Sequence, residues 1–75
     1  IRGGIEYGLG VFISDVESKS VADLHGLKVC DQIIDVNGQK FSRISHQDAI
    51  LILKTSLINY KSNRLPIKIT VRYLG

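Results

Sequence analysis

The side chain with the clearest chemical potential is His46, which lies at the start of an apolar run. Ser45 before it can cap the N-terminus of a helix, and Asp48 three residues after Ser45 gives a capping-box arrangement. A helix is therefore predicted to begin here, with an imidazole in its first turn. Such a ring is either a polar group that contacts a ligand or an ordinary solvent-exposed histidine.

The apolar residues after His46 form two lines on this helix. At about 100° per residue, His46, Ile50 and Leu53 lie within about 60° of one another. Ala49 and Ile52 lie further round, on a second line. Packing on a core needs only the second line. The first line therefore favours a groove wall with the histidine at its head.

No other set of residues indicates catalysis or metal binding. His25, His46, Ser14 and Ser45 are not part of a nucleophile motif, and a 75-residue domain is too small to enclose a water-free site. The single cysteine, Cys30, excludes an intramolecular disulfide and leaves no Cys/His set typical of zinc. We expect no enzymatic activity, no cofactor and no metal.

Length and charge indicate a small binding module. Seventy-five residues form one domain with one core, and the net charge of +3 comes from ten basic and seven acidic residues scattered along the chain. Such scatter is typical of a solvated surface, so nucleic acid is not an expected partner. The lone cysteine and the absence of a bilayer-length apolar run favour a cytoplasmic setting.

The first half of the chain predicts two strands and a short helix. Residues 1–4 are typical of a strand end followed by a glycine turn, residues 5–10 of a loop, and residues 11–16 of a β-branched strand. Residues 21–25 can form a short helix, which Gly26 would end in the left-handed conformation.

The second half predicts a hairpin, a long helix and a strand. Residues 31–36 form a strand before the hairpin signal Asn37-Gly38, and the return strand is residues 39–41. The helix covers residues 45–54. Residues 55–64 are polar and predict a loop. In residues 67–73 apolar and polar side chains alternate, which predicts a strand with one buried face. The predicted fold class is α+β with antiparallel strands.

Three blocks of sequence resemble a known family in order and spacing: GLGVFIS at residues 8–14, GLKVCDQIIDVNG at residues 26–38 and SHQDAI at residues 45–50. They are similar to the signature blocks of PDZ domains, and the start of the chain is most similar to PDZ domains of the harmonin and whirlin type. The resemblance implies a small, partly open antiparallel β-barrel or sandwich, capped by one short and one long helix, over residues 1–75.

The resemblance also implies a register. Gly8-Leu9-Gly10-Val11 looks like the family's carboxylate-binding loop. That assignment would leave only a turn, residues 17–20, before the short helix, where the family has another strand. We therefore align residues 1–4 with the end of the strand that pairs with the ligand. The family's first strand and carboxylate-binding loop are then expected before Ile1, so that the sequence is an N-terminally incomplete domain.

PDZ domains bind the C-terminus of a partner as an added antiparallel strand between a sheet edge and the long helix. The matching positions in this chain are Ile1, Arg2, Ser14, His46, Ile50 and Leu53. Ile1 and Arg2 would form the sheet edge. The resemblance gives His46 the role of accepting a hydrogen bond from a Ser or Thr hydroxyl two residues before the ligand's end.

The other positions receive looser roles. Leu53 with Ile1 would form the pocket for an apolar last side chain, Ile50 would lie between the two pockets, and Ser14 would approach the middle of the ligand. The expected partners are C-terminal tails ending Ser/Thr-any-apolar, on membrane or scaffold proteins. An internal β-finger, a tandem domain or an anionic lipid surface is the alternative.

Two departures from the family carry further expectations. Cys30 replaces a glycine, and we expect it to be a small, unreactive buried residue; the alternative is a turn with a different backbone angle or a reactive thiol. The loop at residues 55–64 is longer than usual, and Lys54, Lys61 and Arg64 could make a weak contact with acidic lipids. The domain is expected to be a monomeric module of a larger protein at membrane-associated or cytoskeletal complexes.

Overall fold

The computed structural model describes residues 1–73 of the chain; the last two residues of the predicted domain, Leu74 and Gly75, lie outside the described residues. The described part has five strands: β1 (Arg2–Gly4), β2 (Leu9–Phe12), β3 (Gln32–Val36), β4 (Gln39–Lys40) and β5 (Ile69–Arg72). It has two α-helices, α1 (Val21–Leu24) and α2 (His46–Asn63), and a 3₁₀ turn at Ile5–Tyr7.

All five strands belong to one antiparallel sheet around β3. One side of β3 pairs with β5 along most of its length, and the other side is shared by β2 and β4. Strand β1 pairs with β2 at the far edge of the sheet, with Arg2 opposite Phe12. The α+β class with antiparallel strands is confirmed.

The predicted hairpin turn is present between β3 and β4. Asn37 and Gly38 both have positive φ values, 51° and 86°, as a type I′ turn requires. The N–H of Gly38 also donates to Oδ1 of Asp35 at 2.7 Å. Gly26, after the short helix α1, has a φ of 82° as predicted.

The core is a small apolar cluster between the sheet and helix α2. Its buried members are Val11, Ile13, Ile33, Val36, Phe41 and Ala49. Ala49 is the buried residue of α2, so the helix approaches the sheet closely at this point. Ile52 on the same line packs against the cluster.

The second strand differs from its prediction. It covers Leu9–Phe12 rather than residues 11–16, and only residues 5–7 of the predicted loop form a separate turn. The bounds of β2 follow from its pairing with β1, in which Gly4 lies opposite Leu9 and Gly3 opposite Val11. Glycine at positions 8 and 10 weakens the local strand signal, so tertiary pairing overrides it.

The main correction concerns residues 55–64, which are not a loop. Helix α2 continues to Asn63, nine residues beyond the predicted end at Lys54. No Gly or Pro occurs between Ser45 and Pro66 to stop it. Arg64 ends the helix in the left-handed conformation, and its N–H donates to the Asn59 carbonyl.

Two smaller expectations are also wrong. Cys30 is exposed rather than buried, with a φ of 76°, so it adopts the backbone conformation that a glycine at this turn would provide. Tyr73 lies beyond β5 and is 74% exposed. The predicted alternation is retained by Ile69 and Val71, which are half-buried between exposed Thr70 and Arg72.

Candidate functional site

The N-terminus of α2 is fixed by two side-chain acceptors. The Asp48 N–H donates to Oγ of Ser45 at 3.1 Å, as the predicted cap requires. The His46 N–H donates to Oε1 of Glu6 at 2.9 Å. These bonds satisfy two of the backbone donors that a helix start leaves open. The helix therefore begins at the predicted residue, and the turn after β1 provides part of its cap.

The imidazole of His46 is held by β1. Its Nδ1 lies 2.8 Å from the carbonyl oxygen of Gly3. A carbonyl only accepts, so Nδ1 must donate the hydrogen. In the neutral ring, Nε2 then carries the lone pair and can accept from another molecule. The Tyr7 ring approaches edge-on, with ring centroids 6.5 Å apart and an interplanar angle of 89°.

Gly4 allows this close approach of strand and helix. Its φ is 136°, which side-chain-bearing residues rarely adopt, and a Cβ here would lie 2.6 Å from the backbone nitrogen of His46. Both backbone angle and space therefore require glycine. Strand β1 and the start of α2 can therefore lie this close only with glycine at position 4.

Glu6 is an exposed carboxylate whose charge is stabilised by the helix start. The hydrogen bond from the backbone N–H of His46 is the largest cause that lowers the pKa of Glu6 below its ordinary value. The backbone N–H of Glu6 itself lowers it further. Glu6 is therefore an ionised cap at neutral pH.

An open groove of about 570 Å³ lies beside these contacts. It is lined by residues from β1, the 3₁₀ turn, β2 and the start of α2: Ile1, Arg2, Gly3, Tyr7, Leu9, Phe12 and His46. The Arg2 guanidinium carbon lies 5.8 Å from the centroid of the Phe12 ring, which suits a cation–π contact. The groove is thus largely apolar, with a cation and an imidazole at its wall.

The structure brings together three of the six predicted site residues here, namely Ile1, Arg2 and His46. Sequence reasoning missed Tyr7, Leu9 and Phe12. Phe12 could have been found from the sequence, because neighbouring side chains of a strand point to opposite faces and Val11 was a candidate for the core.

The other three predicted residues lie outside this groove. Ile50 and Leu53 are half-buried on α2, and Leu53 packs against the core cluster, as does Ile1. Ser14 is exposed and lies two residues beyond the end of β2, not on a strand. Roles for these three in ligand contact stay predictions.

Strand β1 offers backbone groups for pairing beside α2. Among the strands within residues 1–73 it pairs with β2 alone, and it contacts α2. An exposed edge of this kind is a template for one more strand. The geometry therefore provides a strand edge, an imidazole acceptor and an apolar groove in one place.

Residues 1–73 contain no group of three or more His, Cys, Asp or Glu side chains placed to hold a metal ion. Nor does any helix in that range combine the length and apolar character that a bilayer span needs.

Comparison with known proteins decides the family. The PDZ domain family model matches residues 1–70. The chain belongs to the PDZ domain family. This PDZ domain is 54% identical to mouse whirlin over 56 residues, 75% of the chain and 6% of whirlin. It is 46% identical to human PDZ domain-containing protein 7 over 54 residues, 72% of the chain and 5% of that protein.

A third relative belongs to another kind of protein. This PDZ domain is 45% identical to human Rap guanine nucleotide exchange factor 6 over 56 residues, 75% of the chain and 4% of that protein. The chain thus spans less than a tenth of the length of each of these relatives. As a PDZ domain, it is a protein–protein interaction module.

Proposed function

We propose that this PDZ domain binds the C-terminal tail of a partner protein, added as an antiparallel strand along β1 and beside α2. The tail would end Ser/Thr-any-apolar, and the role of the domain would be to hold that partner in a larger, membrane-associated assembly. The single observation that carries the proposal is the hydrogen bond between Nδ1 of His46 and the Gly3 carbonyl.

That bond defines what His46 can recognise. Because Nδ1 donates to the backbone of β1, Nε2 of the neutral ring remains an acceptor. A Ser or Thr hydroxyl two residues before the ligand's end has the donor that this nitrogen needs. A tail with an apolar side chain there would bury Nε2 without a partner, which is unfavourable.

The groove suits the neighbouring side chains of the same tail. Successive side chains of a strand point to opposite faces, so the residues flanking the Ser or Thr would face the surface of Arg2, Phe12, Tyr7 and Leu9. The apolar rings favour aliphatic or aromatic side chains there, and the Arg2 guanidinium favours a carboxylate over an ammonium group.

The last, apolar side chain of the tail would lie against the following turns of α2, outside the groove that His46 lines. Leu53 and Ile1 both pack against the core while remaining partly accessible, and Ile50 lies one turn before Leu53. We propose these three as the apolar end of the site. Ser14 would contact only longer tails.

Removal of the ligand's terminal charge tests tail capture. We would extend the protein upstream of Ile1 to include the carboxylate-binding loop that the resemblance places there. We would then titrate it with a peptide ending Ser-any-Val and with the same peptide amidated at its C-terminus. Loss of a charged hydrogen-bonding group should weaken binding about 10- to 100-fold. Equal affinities would contradict tail capture and would favour an internal strand as the ligand.

A further inference from the structure

The continuation of α2 leaves a second surface that the peptide groove does not use. Taking Lys54 as the reference direction, Leu51, Lys54, Leu57, Ile58 and Lys61 lie within an arc of about 120°. Ala49, the buried residue of the helix, points roughly the opposite way. We call these five residues the outer stripe.

Three residues of the outer stripe are apolar although they lie on the side of α2 that faces away from the core. Leu51 and Ile58 are 63% and 61% exposed, although a helix that packs by one face normally has a polar opposite face. Leu57 is 36% exposed. The helix therefore has apolar residues on both its core side and its solvent side.

The charges on this part of the chain all have one sign. The seven acidic residues occur at or before Asp48, whereas residues 49–75 contain five basic residues and no acidic ones. Lys54 and Lys61 lie within the outer stripe, and Arg64 follows at the helix end; all three are exposed. The surface therefore complements a negative partner.

The shape of the stripe favours a membrane over a folded protein. It is one face of a single helix, about 15 Å long from 1.5 Å of rise per residue. The face of one helix does not enclose a partner's side chain, whereas a lipid surface can deform around it. Lysine and arginine side chains can extend past neighbouring aliphatic ones, so that their charges reach anionic head groups while the aliphatic side chains enter the interface. We propose that the outer stripe, with Arg64, binds anionic phospholipid head groups and inserts Ile58 and Leu51 between them.

Paired charge removals test this proposal. We would measure co-sedimentation of the protein with vesicles of phosphatidylcholine, alone or with about one-third phosphatidylserine. The triple variant Lys54→Gln, Lys61→Gln, Arg64→Gln removes the stripe's cations. The control variant Lys19→Gln, Lys28→Gln, Lys40→Gln changes the net charge equally, at exposed positions elsewhere.

We expect binding only to the anionic vesicles, with a dependence on salt. The stripe variant should bind about tenfold or more weakly, and the control variant should stay within about twofold of the wild type. Peptide affinity of the stripe variant should not change, which separates this proposal from the peptide groove. No binding, equal binding to neutral vesicles, or equal losses in both variants would overturn the proposal.

A second pair of variants tests insertion. Ile58→Ser should weaken vesicle binding several-fold, because the aliphatic side chain no longer enters the bilayer. Leu24→Ser removes a side chain that is 75% exposed on α1 and should leave vesicle binding unchanged. Equal effects of these two changes would contradict insertion at the outer stripe.

Discussion

At its N-terminal end, helix α2 is bonded to the rest of the domain through the backbone N–H and the ring of His46, whereas its last turns have few such contacts. Glu6 and Gly3 fix the first residue, and Ala49 is buried one turn later. Beyond Lys54, helix α2 accepts a long side-chain hydrogen bond, from Nδ2 of Asn37 to Oγ of Ser56 at 3.4 Å. Recognition of a hydroxyl needs fixed geometry, and contact with a fluid surface does not.

The largest expected difference is in the free energy of unfolding, between a proline substitution in the first half of α2 and one in its last turn. Leu51→Pro removes a hydrogen bond and places a ring against the preceding turn, at a cost of about 3 kcal/mol or more. Lys61→Pro should affect only the last turn, at about 1 kcal/mol or less. Both side chains are exposed, so packing losses are small. Urea denaturation gives both values, and equal losses would contradict the contrast between the ends.

The next effect concerns the close approach of β1 and α2. Gly4→Ala forces a side chain into positive φ and against the His46 backbone, so we expect a loss of about 2–3 kcal/mol. Gly8→Ala is the matched control, since φ is also positive but no atom lies within 4 Å of the added Cβ. It should cost about 1–2 kcal/mol. A cost for Gly4→Ala no larger than that of the control would mean that the contact is not tight.

The smallest effect is the charge of Glu6. Its pKa is lowered by the helix start, so the ionised carboxylate stabilises the folded state at pH values above the ordinary glutamate pKa of about 4.3. This contribution is lost as the pH falls through the lowered pKa. Glu6→Gln keeps the acceptor and removes the charge. Its urea midpoint should be lower than that of the wild type at pH 7 and should approach it at pH 3.

Glu17→Gln is the control for that experiment, because Glu17 is also exposed but is distant in sequence from both ends of α2. Its midpoint should follow the wild type at both pH values. A gap for Glu6→Gln that does not change between pH 7 and pH 3 would show that the carboxylate charge does not stabilise the helix start.

The sequence predicted the features that depend on local chemistry. The cap at Ser45, the turn at Asn37-Gly38 and the glycine at position 26 are all where they were expected, because each depends on one or two residues. The family resemblance supplied the assignment of residues 1–4 to the end of a strand, where β1 is observed. It also placed Ile1, Arg2 and His46 at one site.

Features that depend on tertiary contacts or on missing stop signals were not predicted. Residues 55–64 have no apolar period, but nothing in them ends a helix before Arg64. Tyr7 and Leu9 line the groove beside β1, and the pairing of β1 with β2 contains a register shift between Gly3 and Gly4. Neither result follows from the local pattern of side chains.

The central claim is that His46 recognises a hydroxyl through Nε2. The most direct test is a double cycle that compares wild type with His46→Ala, and a peptide with Ser two residues before its end with one that has Ala there. Wild type should prefer the Ser peptide by about 1–2 kcal/mol, and His46→Ala should abolish that preference without weakening the binding of the Ala peptide. Equal weakening of both peptides would show that His46 only supports the fold, and would contradict the account.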